Sequence, residues 1–272
     1  MDRSYRTSTT LSAASLSREV APGDAVPVPT RSTRQPVLLS AAARKAVRNR
    51  MLFFRQSSLD QVASLSGATP AAIKQYRHEL VESNVPESLL DRGASLAFTK
   101  ELPQGSLLYL LVRALRPRRV LETGVRPGYS TAWLLSGLEA NGAGELVSLG
   151  PGPTQGRPSG VHEYTVGQFV PPSLRARWTL ALGNTESHLE GLVARGGPVD
   201  LFLYDNGPDV SRARFELRTA WAALSKRGVL LAHHIDANPA FTEFCRAQGL
   251  PEQVLDPGPP ALGALGVSSR PR

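Results

Sequence analysis

The sequence predicts an α/β protein whose mostly parallel sheet is covered by helices on both faces. From about residue 105 onward, short β-rich runs alternate with helical stretches, and this alternation is typical of parallel sheets. The runs are RRVLET, ELVSL, WTLAL, VDLFLYD and GVLLAH. Two further apolar runs, EQVLD and ALGALGVSS, lie close together around PGPP and predict a closing hairpin at the sheet edge.

Length and composition limit the class of protein. With 272 residues and 41% hydrophobic content, the chain is long enough for one large domain with a substantial core. The single cysteine, Cys245, excludes an internal disulfide, and no apolar stretch is long enough to cross a membrane. The first residues also lack the apolar segment of a secretory signal. We therefore expect a soluble cytoplasmic protein.

The net charge of +8 does not indicate a nucleic-acid-binding surface. The 31 lysines and arginines are spread along the chain among 23 acidic residues, whereas a phosphate-binding surface needs clustered positive charge. Scattered charge of this kind is typical of a solvated surface.

The N-terminal third divides into two parts. Residues 1–36 are rich in Ser, Thr, Pro and Arg without periodicity, which predicts a disordered extension. Residues 37–104 predict a helical cap, with helix starts at Ser58 and at Thr69-Pro70. One apolar face is predicted from Val62, Leu65, Ile73, Tyr76 and Leu80. The stretch superficially resembles a helix-turn-helix, but acidic residues interrupt its second helix, which favours an ordinary helical hairpin over DNA recognition.

Residues 105–269 form the predicted α/β domain, and its first strand, turn and helix carry the clearest ligand-binding signal. In VLETGVRPGYST, residues 120–131, Gly124 and Gly128 allow the backbone to turn tightly and approach a ligand closely. The amides at the following helix N-terminus favour a carboxylate or phosphate, and that helix is predicted to end at Gly142. The G-x-x-x-G spacing differs from the G-x-G-x-x-G of dinucleotide sites, so nicotinamide binding is disfavoured.

Ligands of parallel α/β sheets bind at the carboxyl ends of the strands, so polar residues at those ends are candidate site residues. Asp205 ends the run LFLYD, and His233 and His234 end the run GVLLA. Histidines at such a position suit general base catalysis or metal binding. Asp236 is predicted to cap the helix that opens at NPAFTEF, in preference to orienting an imidazole.

The run VLETGVRPGYSTAWLL resembles the first motif of class I S-adenosylmethionine-dependent methyltransferases, in the form common among catechol-type and sugar O-methyltransferases. The runs ELVSL, RWTLALGNT, PVDLFLYDN, FELRTAWAALSKRGVLLAHHID and NPAFTEF follow in the order and spacing of that family. The resemblance covers about residues 105–269. It implies a Rossmann-like sheet of seven strands with the last strand antiparallel, and it implies an enzyme that uses S-adenosylmethionine.

The resemblance also implies roles at the cofactor site. Glu122 would anchor the turn and orient the methionyl amine of the cofactor. Gly124, Gly128 and Ser130 would cradle the methionyl group and its carboxylate, and Asp205 is counted with this cofactor-binding set.

Two positions depart from the family pattern. Gly150 stands where an acid normally holds the ribose hydroxyls, and Asn184, which is kept in the cofactor-binding set, stands where an Asp normally lies near the adenine. A lost charge-assisted hydrogen bond commonly costs about 1.5–3 kcal/mol, so both departures bear on cofactor affinity.

In the metal-dependent branch of the family, the position of Asp205 ligates a divalent cation. The partner ligands of that branch are an Asp-Asp or Asp-Asn pair at the end of the next strand, and here that pair is His233-His234. Asp205, His233 and His234 would suit Zn²⁺, Fe²⁺, Mn²⁺ or Co²⁺ better than Mg²⁺. The sequence leaves three roles open for the histidines: metal ligands, a general base on a substrate hydroxyl, or local packing. As a base, His234 is the first candidate and Asp205 the second.

The leading functional hypothesis is S-adenosylmethionine-dependent O-methylation of a small-molecule hydroxyl. Two alternatives stay open. One is a methyltransferase fold with an eroded cofactor site that catalyses a metal-dependent or cofactor-free reaction, and the other is a non-enzymatic binding protein. The expected partner is a small-molecule substrate, without membrane or nucleic acid, and a homodimer stays open.

Overall fold

The computed structural model describes residues 55–83, 85, 96–151, 165–258 and 264–270. The predicted disordered extension, residues 1–36, and the first part of the predicted helical cap lie outside these residues. The strands are β1 (Arg119–Thr123), β2 (Glu145–Gly150), β3 (Trp178–Leu182), β4 (Val199–Tyr204), β5 (Leu224–Ala232), β6 (Gln253–Asp256) and β7 (Leu265–Ser269). The α-helices are α1 (Gln56–Ser66), α2 (Pro70–Glu82), α3 (Leu96–Leu115), α4 (Tyr129–Asn141), α5 (Thr185–Gly196), α6 (Val210–Ala223) and α7 (Ala240–Ala247).

The seven strands form one sheet in the order β3-β2-β1-β4-β5-β7-β6. Strands β1 to β5 run parallel to one another, whereas β7 is antiparallel to both β5 and β6. The prediction of a seven-stranded, mostly parallel sheet with an antiparallel last strand is confirmed, and so is the closing hairpin. Strand order reverses between β1 and β4, so their carboxyl ends border the crevice in which ligands of such sheets bind.

Two apolar clusters cover the two faces of the sheet. Helices α1 to α4 pack on one face, and α5, α6 and α7 pack on the other. Successive side chains of a strand point to opposite faces, so Leu201 joins the first cluster and Phe202 the second. The same alternation directs Glu122 towards α4 and Thr123 towards α6.

Helix α3 was not distinguished by the sequence pattern. Residues 107–112 are all buried, so the helix is apolar all round and lacks the amphipathic stripe that marks a surface helix. It packs closely on α4, because Gly105 lies against the Trp133 ring and Gly137 lies against Val112. The predicted boundary between residues 104 and 105 falls inside this helix, and the division into domains stays a prediction.

Helices α1 and α2 follow each other as the predicted hairpin and pack on the core. Thr69 caps α2 with its side chain, as predicted. Helix α1 begins at Gln56 and not at Ser58, and the Ser58 hydroxyl donates to the Leu255 carbonyl at 2.6 Å. The predicted apolar face is confirmed: Val62, Ile73 and Leu80 are buried, and Leu65 and Tyr76 pack against them. None of the described helices is long and apolar enough to cross a membrane.

Candidate active site

Glu122, near the carboxyl end of β1, is completely buried. Its carboxylate accepts hydrogen bonds from the hydroxyls of Ser130 at 2.6 Å, Thr131 at 2.8 Å and Ser148 at 2.8 Å. Burial raises the pKa of Glu122, and the three hydroxyl donors oppose that rise because they stabilise the charged form. Glu122 and Ser130 were both predicted to contact the cofactor, but here their side chains bond to each other. Their cofactor contacts stay a prediction.

Gly124 and Gly128 both have a φ of 92°, a conformation that favours glycine. Gly124 lies directly against the peptide of Asp205, and a Cβ atom on Gly124 would overlap the Asp205 carbonyl. The Asp205 amide donates to the Thr123 carbonyl at 3.0 Å, and the Gly124 amide donates to the Leu149 carbonyl at 2.9 Å. Because Gly124 has no side chain, the backbone that leaves β4 at Asp205 can pass directly beside the glycine turn.

A short segment, residues 165–170, covers the other side of the glycine turn, and we call it the strap. Two backbone hydrogen bonds join it to the turn. The Gly167 amide donates to the Arg126 carbonyl at 2.9 Å, and the Phe169 amide donates to the Pro127 carbonyl at 2.9 Å. The strap therefore pairs with the glycine turn through the backbone.

Side chains complete the contact between the strap and the turn. The Phe169 ring stacks on the Tyr129 ring, with 4.6 Å between centroids and 15° between planes. A Cβ atom on Gly128 would lie 3.0 Å from the Cα of Gly167. On its far side, Gly167 lies against the ring of Trp178. The glycines of the turn thus face protein atoms at close range in this arrangement.

Gly150, the last residue of β2, lies beneath Val166 of the strap. A Cβ atom on Gly150 would lie 2.9 Å from Val166 Cγ1 and 3.2 Å from Leu182 Cδ2. In the family that the sequence resembles, an acid is expected at this position, and the side chain of such an acid would meet these methyl groups. The loss of the acid was visible in the sequence, and the structure adds that an apolar side chain occupies its place.

Asn184, predicted near the adenine of the cofactor, caps helix α5. Its Oδ1 accepts a hydrogen bond from the Glu186 amide at 2.8 Å. Asn is among the residues most favoured at a helix N-cap, so this contact alone accounts for its presence. The role near the adenine stays a prediction.

Asp205, His233 and His234 come together where β4 and β5 end, as the topology predicts. Asp205 Oδ1 lies 3.4 Å from His233 Nδ1 and 3.9 Å from His234 Nε2. The His234 side chain is the most open, at 43% exposed, against 25% for Asp205 and 13% for His233. His234 has a φ of 56°, which is uncommon for a residue other than glycine. The arrangement suits acceptance of a proton from a ligand hydroxyl, with the carboxylate beside the imidazole.

The same three residues were predicted as metal ligands. Among the described residues, no group of three or more His, Cys, Asp or Glu side chains is arranged to hold a metal ion. The metal role of Asp205, His233 and His234 stays a prediction.

Asp236 does not have its predicted capping role. Its Oδ1 accepts a hydrogen bond from the Ala264 amide at 2.8 Å, which joins the loop after β5 to the start of β7. Asn238 instead bonds the first turn of α7, because its Oδ1 accepts from the Ala240 amide at 3.0 Å. The prediction for Asp236 was wrong because α7 begins at Ala240, where Asn238 lies closer to the first amides.

A second buried carboxylate, Glu216 on α6, was missed by sequence reasoning. It accepts hydrogen bonds from Thr123 Oγ1 at 2.6 Å and from Asn206 Nδ2 at 2.7 Å. Burial raises the pKa of Glu216 to about 7. Glu216 therefore joins the end of β1 to the residue that follows Asp205. The available signal was an acid on the apolar face of a predicted helix.

Comparison with known proteins finds a family model that matches part of the chain. Residues 121–235 match the model of a family described as a methyltransferase domain. The matched segment contains the glycine turn, Asp205 and both histidines, and the predicted resemblance to class I methyltransferases is confirmed for it. No protein of curated function matches the chain.

Several solved structures are similar to this chain over most of its length. An O-methyltransferase from Bacillus cereus in complex with SAH has 18% identity and a TM-score of 0.49, with 85% of this chain and 97% of that chain covered. A putative O-methyltransferase from Klebsiella pneumoniae has 20% identity and a TM-score of 0.49, covering 84% and 97%. TomG from Streptomyces achromogenes, an O-methyltransferase involved in tomaymycin synthesis, in complex with SAM, has 18% identity and a TM-score of 0.48, covering 68% and 88%.

Proposed function

We propose that this protein is an S-adenosylmethionine-dependent methyltransferase that acts on a hydroxyl group of a small molecule. The observation that carries the proposal is the meeting of Asp205, His233 and His234 beside the glycine turn, at the crevice of the sheet. The match of residues 121–235 to a methyltransferase domain supports the same class of reaction.

In this proposal, the residues of the chain act on the acceptor hydroxyl. His234 accepts the proton of the hydroxyl, since its imidazole is the most exposed of the three side chains. Asp205, with Oδ1 3.9 Å from His234 Nε2, stabilises the imidazolium that forms. S-adenosylmethionine, when bound, supplies an electrophilic methyl group.

The two ends of the cofactor differ in how well they fit. The first amides of α4 follow Gly128 directly, and such amides favour the carboxylate of a methionyl group. The ribose end fits poorly, because Gly150 has no acceptor side chain and Val166 occupies the space above it. Binding of the whole cofactor therefore requires the strap to shift.

Calorimetric titration of the protein with S-adenosylmethionine tests the proposal directly. We expect saturable binding, followed by transfer of labelled methyl to at least one member of a panel of phenols and sugars. Absence of binding at millimolar cofactor, in the wild type and in variants with a weakened strap that are all shown to be folded by circular dichroism, would refute it.

The contact between Gly150 and Val166 favours a second candidate, an enzyme that has kept this fold and lost the use of the cofactor. This candidate predicts no saturable binding of S-adenosylmethionine to the wild type or to variants in which the strap is weakened. The same calorimetric titration therefore separates the two.

We also propose a cytoplasmic location, and the possibility of a homodimer stays open. Sedimentation equilibrium of the purified chain tests the second, and a single species of 29.2 kDa would refute it.

A further inference from the structure

We propose that the strap competes with the cofactor for the glycine turn, and that Val166 determines whether the ribose end can enter. The inference rests on the proposed function and deepens it, because it names a residue that controls access to the same site.

Val166 lies where the ribose of the cofactor would bind. In doubly wound sheets, an acid that follows the glycine turn by about 20 residues holds the ribose hydroxyls, and the ligand lies beyond the carboxyl ends of the strands. Gly150 ends β2 at the corresponding place, and Val166 Cγ1 lies 2.9 Å from the position that its Cβ would take. Val166 therefore occupies the space that a ribose and its acceptor need.

The backbone of the strap is bonded to the turn that would receive the methionyl group of the cofactor. The amides of Gly167 and Phe169 bond to the carbonyls of Arg126 and Pro127, within the turn that would receive the methionyl group. A ligand that enters this turn must displace the strap or slide beneath it. Two backbone hydrogen bonds and one stacked pair of rings join the strap to the turn, which local opening can break, whereas Val170 at the end of the strap is buried in the core and stays in place.

Neighbouring side chains give the strap a defined closed position. The Trp178 ring lies against Gly167, and its Nε1 donates to the Ser148 hydroxyl at 3.0 Å. The Ser148 hydroxyl in turn donates to the Glu122 carboxylate. Trp178 and Ser148 thus link the strap to the buried carboxylate that supports the turn, and this link defines one closed position of the strap.

Two substitutions, alone and combined, test the role of Val166. Val166→Ala removes the methyl groups above Gly150, and Gly150→Asp restores an acceptor for the ribose. Gly150 lies outside the set of glycines with positive φ, so its backbone conformation accepts a side chain, although Leu182 Cδ2 at 3.2 Å and the Val125 carbonyl oxygen at 3.3 Å must shift slightly. The probe is S-adenosylhomocysteine, titrated by calorimetry into each folded variant.

We expect Val166→Ala to bind the probe several-fold more tightly than the wild type. Gly150→Asp alone should bring no gain, because its new side chain meets Val166. The double variant should bind about tenfold or more tightly than either single variant, since the restored charge-assisted hydrogen bonds form only when the space is free. Val254→Ala, at a valine that is 42% exposed on β6, is the matched control and should bind like the wild type.

Amide hydrogen exchange gives a readout that does not depend on mutation. Saturation with S-adenosylhomocysteine should speed exchange at Gly167 and Phe169, because their bonds to the turn break when the strap moves. Unchanged exchange at both amides in the saturated wild type would overturn the inference.

The outcomes distinguish a failure of the proposal about the strap from a failure of the proposed methyltransferase function. Equal affinity in the wild type and all variants overturns the role of Val166 and leaves the methyltransferase proposal standing. Tighter binding in the double variant without methyl transfer to any hydroxyl supports the strap and refutes the function. Absence of binding in every folded variant overturns both.

Discussion

The carbonyl of Asp205 lies directly against the α-carbon of Gly124, so closely that no side chain fits between them. This contact joins the end of β4 to the glycine turn and places the carboxylate of the candidate site beside the candidate cofactor site. Gly124 permits this contact because it has no side chain, and its positive φ is a second reason why glycine is favoured at this position.

Gly124→Ala should therefore destabilise the protein by more than about 3 kcal/mol, because it combines a left-handed residue with an overlap of atoms. Gly142→Ala is the matched control, since Gly142 also has a positive φ and a Cβ atom there would meet nothing within 4 Å. The control should cost only about 1–2 kcal/mol. Urea denaturation measures both, and equal costs would contradict the close contact with Asp205.

Glu122→Ala should lower the free energy of unfolding by roughly 2–4 kcal/mol. The substitution leaves a cavity and removes the acceptor of three hydroxyls that belong to Ser130, Thr131 and Ser148. Glu139→Ala is the control, because Glu139 is exposed on α4 and its ion pair with Arg177 contributes less than about 1 kcal/mol. A cost for Glu122→Ala no larger than the control would show that the hydroxyl network does not stabilise the fold.

Glu216 should make the stability of the protein depend on pH. Its pKa in the folded protein, about 7, lies above the ordinary value of 4.5, so the folded state keeps a proton that the unfolded chain releases between these values. The stability linked to this group is fully present below pH 4.5 and is lost as the pH rises through 7, by on the order of 3 kcal/mol.

Glu216→Gln should remove this dependence, because the amide oxygen can still accept from Asn206 and the side chain no longer titrates. The measurement is chemical denaturation at half-unit steps between pH 4.5 and 8. Glu139→Gln, at an exposed carboxylate, should follow the wild-type profile. Parallel profiles for the wild type and Glu216→Gln would contradict the raised pKa.

His234→Gln should lower kcat by about 10²-fold or more if His234 accepts the proton of the substrate hydroxyl. Affinity for S-adenosylhomocysteine should stay within twofold, because the substitution removes a base and leaves the turn intact. His78→Gln, at an exposed histidine on α2, is the control and should leave kcat unchanged. Wild-type kcat in His234→Gln would transfer the role of base to Asp205, and wild-type kcat in both His234→Gln and Asp205→Asn would remove both from catalysis.

Much of the domain could be predicted because its signals are local. The apolar run of β1, the glycines of the turn and Gly142 at the end of α4 are read within about twenty residues, and the structure confirms each of them. Helix α3 escaped prediction because its apolar residues lie on all sides, which removes the periodicity that marks a helix.

The candidate site could be predicted only in part. The topology brought Asp205 and the two histidines together as expected, since parallel strands end at one edge of the sheet. Asn184 shows the limit of residue type as a signal, because the same amide suits a helix cap and a cofactor contact. Glu216 could not be assigned, because its partner Thr123 lies 93 residues away along the chain.

The sequence by itself determined the succession of strands along the chain, the position of the glycine turn and the edge of the sheet at which a site forms. These features depend on short-range preferences and on the period of apolar residues. Only the tertiary structure decided that Val166 lies over Gly150, that Glu122 is enclosed by hydroxyls and that Glu216 supports the turn from the opposite face. Such contacts join residues that are distant along the chain, and they are set by how the packed elements fill space.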